Sequence, residues 1–277
     1  MNISNQPEVS YFQFNKIYVL ESLPPGERQT GKELYDDVLR WAEYRHGWFR
    51  SSYATIETRK QLLGTMAAIR RDVLRKGIFP LIHLEGHGSP AGFALTKGMP
   101  QHIGWSELAD ALRKINVATK NNLLLSVASC HGSHIYKGID ITDRAPFFGF
   151  IAPLEEVSPA EIVEGYQMLY DRIIRTDDFD GAVLALRDMS EGPQRKFTYQ
   201  HCETVLHHVA GKILTQLHDP TYRSQRLLSM TVKSLANVHL RLNYTIPGIV
   251  ARSEQILSKS DEQLSRWLDN FMMKDLQ

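Results

Sequence analysis

The sequence predicts an α/β protein: a mostly parallel sheet sandwiched by helices, followed by an all-helical C-terminal extension. Three observations carry this. Short apolar, β-branched runs alternate with helix-period segments through the first two-thirds of the chain, the pattern of βαβ units. The run from Asn122 to Ala128 is apolar almost throughout, as a strand buried on both faces requires. Beyond about Thr176 such runs become scarce and the periodicity turns helical. The expected division is therefore an α/β domain over residues 1–176 and a helical extension over 177–277, standing apart or packing as part of the same domain.

Taken in order, Lys16 to Leu20 reads as the first strand, stopped by Leu23-Pro24-Pro25-Gly26-Glu27. From Lys32 the spacing of Leu34, Val38 and Trp41, with Tyr35, Leu39 and Ala42 beside them, predicts a helix. Ser51 to Glu57 suits a second, half-polar strand. Thr58 opens a long helix along Leu62, Met66, Ile69, Val73 and Leu74, and Gly77 ends it. The third strand, Ile78 to Leu84, contains Pro80, so its regular part is expected after the proline. Gly92 to Leu95 suits a hairpin arm. Trp105, Leu108, Ala109, Leu112 and Ile115 share one helix face, and Ala145 to Ala152 follows as another strand. Ser158-Pro159-Ala160-Glu161 combines a cap, a proline at the first helical position and a capping-box glutamate. In the extension Val205, Val209, Ile213 and Leu217 recur every four residues, and Ser260-Asp261-Glu262-Gln263 begins the last helix.

The 277 residues are 43% hydrophobic, with 32 basic and 31 acidic side chains and a formal net charge of +1. That is enough apolar material for a sizeable core, which excludes wholesale disorder. The charge balance offers no field to a protein that binds nucleic acid by neutralising phosphates. Two cysteines, Cys130 and Cys202, exclude a disulfide scaffold and fit a reducing compartment. Met1 to Glu8 lacks the basic start and apolar run of a signal peptide, and no charge-free apolar stretch approaches the roughly 20 residues of a membrane span. A cytoplasmic protein with neither a membrane nor a nucleic-acid partner is the expectation.

In an open parallel sheet, functional groups gather at the carboxyl ends of strands. Two strands here end in Glu85-Gly86-His87-Gly88-Ser89 and Ser129-Cys130-His131-Gly132-Ser133. A thiol needs a base or positive neighbour to become a useful thiolate at neutral pH, and imidazole is the usual one. Glycines let the backbone approach a substrate closely, and the N–H groups of Gly88 and Cys130 can supply the donors a developing oxyanion needs. Together these are the parts for acyl transfer by a cysteine nucleophile.

Both motifs resemble the caspase-like cysteine peptidases, among them caspases, metacaspases and bacterial CHAT-type proteases. His83-Leu84-Glu85-Gly86-His87-Gly88 is similar to the metacaspase pattern His-x-x-Gly-His-Gly, and Ser129-Cys130-His131 to the metacaspase Ser-Cys-His. Cys130-His131-Gly132 resembles the caspase Cys-x-Gly, and Gly104-Trp105-Ser106-Glu107-Leu108 looks like CHAT-type members. The histidine precedes the cysteine at a separation near the roughly 50 residues of caspases. The likeness covers about residues 14–176. It implies a caspase-like fold, His87 as general base and acid, Cys130 as nucleophile, and an oxyanion hole from the N–H groups of Gly88 and Cys130. It further implies a protein or peptide substrate, cleaved through a thioester without a cofactor. Relatives are switched by partners, dimerisation, calcium or self-cleavage, so an activating protein partner is one option. A bacterial defence or cell-death effector role is another. One position departs from the pattern. Metacaspases carry Asp and caspases Gln two residues before the cysteine, where this chain has Ala128. Cleavage after Arg, Lys or Asp is therefore not inherited, and Glu85, Asp140 and Asp143 become the candidates for charge near a substrate pocket.

Taken singly, the same residues have plainer readings. A cysteine after an apolar strand serves as a small buried hydrophobe, and a glycine-flanked histidine as a turn residue. His83 lies four before His87, but on a strand that spacing does not converge, so a core role is expected for it. A metal-dependent hydrolase using His83, His87, Cys130 and His131 matches no common zinc spacing, and no metal is expected. A reading from a different class is a catalytically silent caspase-like interaction module, with the helical extension as its partner surface.

Overall fold

The computed structural model describes residues 12–99, 101–189, 195–236 and 245–276. Its main sheet contains β1 (Lys16–Ser22), β2 (Arg50–Thr55), β3 (Pro80–Gly86), β7 (Leu124–Ala128), β8 (Gly149–Pro153) and β9 (Phe197–His201), in the order β2-β1-β3-β7-β8-β9. All neighbours are parallel except β8 and β9. The short strands β4 (Gly88–Ser89), β5 (Gly92–Ala94) and β6 (His102–Gly104) form a separate antiparallel sheet between β3 and β7 in the chain.

Alternation along β1 shows why both faces need helices. Ile17 and Val19 join the apolar cluster that holds Leu34, Leu39, Tyr166, Leu169, Ile173 and Leu186. These come from the helical segment α1 (Thr30–Leu34), the adjoining turns, α5 (Pro159–Thr176) and α6 (Phe179–Asp188). Tyr18 points the other way and donates to Asp72 of α3 (Arg59–Lys76), 3.1 Å away. Beside α3 packs α4 (Trp105–Ala118), which buries Leu108, Leu112 and Ile115. The ends of these helices follow local chemistry. Thr58 and Gln61 close a capping box on α3, and Gly77 ends it at φ 63°. Ser158, Pro159 and Glu161 start α5.

Several expectations are corrected. Pro80 is not excluded from β3 but begins it, the strand position that tolerates a missing N–H. The helix after β1 buries Leu34, Leu39 and Ala42 and leaves Trp41 59% exposed. A π turn at Tyr35–Leu39 adds one residue before α2 (Arg40–His46) and rotates the apolar stripe off the Leu34-Val38-Trp41 spacing. The C-terminal third is not wholly helical, because β9 pairs antiparallel with β8 at the sheet edge. The chain forms two compact units, one of residues 1–140 and 144–202 and the other of residues 141–143 and 203–277.

That second unit contains the helices α7 (Cys202–His218), α8 (Pro220–Ala236), Ile246–Ser258 and Ser260–Phe271, with α8 packed along Ile246–Ser258. Met1 to Glu8 lies outside the described residues, as do the side chains of Leu217, Ser260 and Asp261. Among the described residues no helix is long and apolar enough to cross a membrane.

Candidate active site

The two motifs meet because β3 and β7 are adjacent and parallel, which brings their carboxyl ends to the same edge. Leu84 lies opposite Val127 and Glu85 opposite Ala128. Just past these pairs the chains touch: a Cβ on Gly88 would stand 2.1 Å from Ser129 Oγ and 2.5 Å from the Cys130 carbonyl oxygen. Only glycine permits that approach. The N–H of Ala94 donates to the His87 carbonyl at 2.8 Å. Antiparallel pairing alternates, so the next pair, Gly88 with Phe93, leaves the Gly88 N–H turned away from β5.

Cys130 sits at the tip of a turn closed by the Gly132 N–H on the Ser129 carbonyl, 2.9 Å. His131 takes a left-handed conformation there, φ 55°, which costs a non-glycine residue about 1–2 kcal/mol. Gly132 cannot carry a side chain cheaply, since its Cβ would meet Val127 at 2.9 Å. The Cys130 N–H donates to no backbone carbonyl among the described residues. Its thiol is partly exposed and makes a weak bond to the Val157 carbonyl, 3.7 Å. Val157 immediately precedes the Ser158 cap of α5, so the helix start forms one wall of the site.

The imidazole of His87 has a partner that no local spacing announces. Its Nε2 lies 2.6 Å from Glu27 Oε2, with both side chains about half exposed. Glu27 stands sixty residues earlier in the turn after β1. Beneath this surface runs a buried polar column. Glu85, 3% exposed, accepts from Thr30 Oγ1 at 2.7 Å and contacts His83 Nε2 at 3.0 Å. His83 Nδ1 lies 3.2 Å from the Tyr170 hydroxyl, which donates to Ser126 Oγ at 3.1 Å. Next to it, Glu21 accepts from the Gly31 N–H at 2.7 Å and from Tyr53. Burial drives the Glu85 carboxyl above its usual range, against the pull of His83 and Thr30.

The structure thus places the expected residues in three groups. His87, Gly88 and Cys130 lie at neighbouring strand ends, though the described hydrogen bonds of the imidazole and thiol go to Glu27 and Val157 rather than to each other. Glu85 and Ala128 are buried instead of facing a pocket: Glu85 is held by Thr30 and His83, and Ala128 belongs to the apolar cluster under α5. Asp140 and Asp143 are exposed on the segment after the 3-10 turn Gly132–Gly138. Cys202 is buried, and burial pushes its thiol far above the ordinary range. Among the described residues no three His, Cys, Asp or Glu side chains converge as a metal site. A groove of about 300 Å³ lies along α2 and α5, lined by Val38, Arg45, His46 and Met168 among others, and contains neither His87 nor Cys130. Neither a scan against protein-family models nor a search of curated proteins gives a match.

Proposed function

We propose that this chain is a cysteine endopeptidase of caspase-like type, acting on protein or peptide substrates. The observation that carries the reading is the contact of Gly88 with Ser129 and Cys130 at adjacent strand ends. It brings the loop that bears His87 beside the turn that bears Cys130, and this supports a site built from a thiol, an imidazole and backbone N–H groups. In this reading His87 takes the Cys130 proton as the sulfur attacks a peptide carbonyl. The N–H groups of Gly88 and Cys130 stabilise the oxyanion, and His87 returns the proton to the leaving amine. Water, deprotonated by His87, then hydrolyses the thioester. The natural setting proposed is inside a cell, where such an enzyme serves as an effector that a protein partner activates.

Cys130→Ala is the direct test. Incubated with a peptide library and read by mass spectrometry, the wild-type protein should generate new termini that the variant does not, with unchanged circular dichroism. Cleavage at an equal rate by the variant would end the proposal. The second reading, a silent interaction module, is favoured by the hydrogen bonds of the thiol to Val157 and of His87 to Glu27. It predicts stable partners that are captured and never cut, with a Cys130 no more reactive than any exposed thiol.

A further inference from the structure

Glu27 reaches His87 from a turn that is itself firmly tied down. The Glu27 N–H closes the turn on the Pro24 carbonyl at 3.0 Å, and the Gln29 amide bonds both the Pro24 and the Glu27 carbonyls at 2.9 Å. Directly after it, Thr30 is bonded to Glu85, and the first N–H groups of α1 are taken by Glu21. The neighbouring cation does not neutralise Glu27. Arg28 turns away to make a two-pronged pair with Glu33, at 2.9 and 2.7 Å. The carboxylate is therefore firmly carried, and among the described residues its partner is the imidazole.

We infer that Glu27 is the positioning residue of this site, holding His87 in the tautomer and ring rotation that leave Nδ1 to take the Cys130 proton. The inference rests on the cysteine–histidine reading above. An ionised carboxylate only accepts hydrogen bonds, so the His87 Nε2 facing it must carry the hydrogen. In the neutral ring the lone pair then sits on Nδ1, which makes no hydrogen bond among the described residues. On attack the S–H bond breaks, its proton forms the Nδ1–H bond, and the electron pair stays on sulfur. Throughout, Nε2–H remains bonded to Glu27, whose charge faces the imidazolium that results. Glu27 touches neither substrate nor sulfur, and acts through His87.

The test compares wild type, Glu27→Gln, Glu27→Asp and His87→Ala. The rate of Cys130 alkylation by iodoacetamide is followed from pH 5 to 9, with buried Cys202 reporting any unfolding by becoming labelled, and ¹⁵N NMR of histidine-labelled protein reports the His87 tautomer. In wild type the Nε2–H form should dominate. Glu27→Gln should mix the tautomers and slow Cys130 alkylation at neutral pH by about 10- to 100-fold, an orienting-residue loss smaller than that of an acyl-transfer triad. Glu27→Asp should restore the tautomer in part. If His87→Ala slows alkylation and Glu27→Gln does not, the positioning role is overturned while the dyad stands. A faster reaction in Glu27→Gln overturns it too, because Glu27 would then restrain His87 rather than aim it. If His87→Ala itself changes nothing, the dyad reading fails and this inference with it.

Discussion

Replacing Gly88 by alanine tests the proposed oxyanion donors separately from the thiol, since it changes no titrating group. The added Cβ would lie 2.1 Å from Ser129 Oγ and 2.5 Å from the Cys130 carbonyl oxygen. The hydroxyl has no hydrogen-bond partner to lose among the described residues and can rotate away. The carbonyl is backbone in a closed turn and cannot. Real Cβ contacts stay beyond 3.0 Å, so relief of the 2.5 Å contact requires the two strand ends to part by about 0.5 Å. Overpacking of this kind costs roughly 1–3 kcal/mol of stability. Displacing one donor of a preorganised pair costs about 10²–10³ in turnover. Two reagents divide these effects. Acylation by a p-nitrophenyl ester passes through a tetrahedral oxyanion, whereas alkylation by iodoacetamide does not. Gly88→Ala should therefore lose about 100-fold or more in the nitrophenolate burst while its Cys130 alkylation stays near wild type. Undiminished acylation would refute the assignment of Gly88 as a donor. Equal losses in both assays would instead make it a spacer that sets the thiol.

Three further outcomes follow from the same structure. Native protein should take up one equivalent of iodoacetamide, on Cys130, and a second only in denaturant, because Cys202 is buried with its thiol pushed up; labelling of both in native buffer, seen by intact-mass spectrometry, would contradict this. Burial holds the Glu85 proton to higher pH than the unfolded chain does, so the folded state binds the extra proton, and the stability it contributes is present below pH 4.5 and falls as pH rises through the raised folded value. Glu85→Gln should remove that fall, and thermal melts of variant and wild type between pH 4 and 8 should diverge in slope; parallel curves would exclude the effect. Ser158→Ala deletes the hydroxyl that accepts from the Glu161 N–H at the start of α5, and urea titration should show a loss of about 1 kcal/mol, whereas a variant as stable as wild type would mean the cap contributes nothing.

Which parts were legible in the sequence follows from the range of the forces involved. Capping boxes at Thr58 and Ser158 and the stop at Gly77 are decided within a turn of helix, and the structure has each where the residues indicate. The buried strand Leu124–Ala128 was legible because a strand covered on both faces must be apolar throughout. Failures came where tertiary contacts override the local pattern. Phe197–His201 carries His201 and Gln200 and lacks an apolar run, yet it pairs with the fully buried β8, which needs a neighbour at its open edge. The π turn at Tyr35–Leu39 is invisible to a 3.6-residue periodicity, so Trp41 reads as core and emerges on the surface. In the site, the two motifs and their glycines were readable because each is contiguous. Glu27 was not, since nothing near Pro24-Pro25-Gly26 shows that this turn folds over a loop sixty residues later.

The column of Glu21, Glu85, His83, Ser126 and Tyr170 bears on why that turn can be trusted to hold its place. Buried acids and imidazoles are seldom worth their desolvation, and apolar replacements of equal volume are commonly as stable. Stability is therefore a poor reason for packing two carboxylates side by side at the ends of β1 and β3, where Glu21 faces Glu85 across the ladder. Geometry is a better one. An apolar side chain accepts many arrangements of its neighbours, whereas a buried carboxylate accepts only those that satisfy it. Glu21 fixes the first turn of α1 through two backbone N–H groups, and Glu85 fixes Thr30. Both constraints fall within a few residues of Glu27. His83 and Tyr170 extend the network from the strand that leads into His87 to the helix whose start walls the thiol. The network thus joins the three backbone segments whose register the proposed joint action of Glu27, His87 and Cys130 requires, and it does so from buried positions.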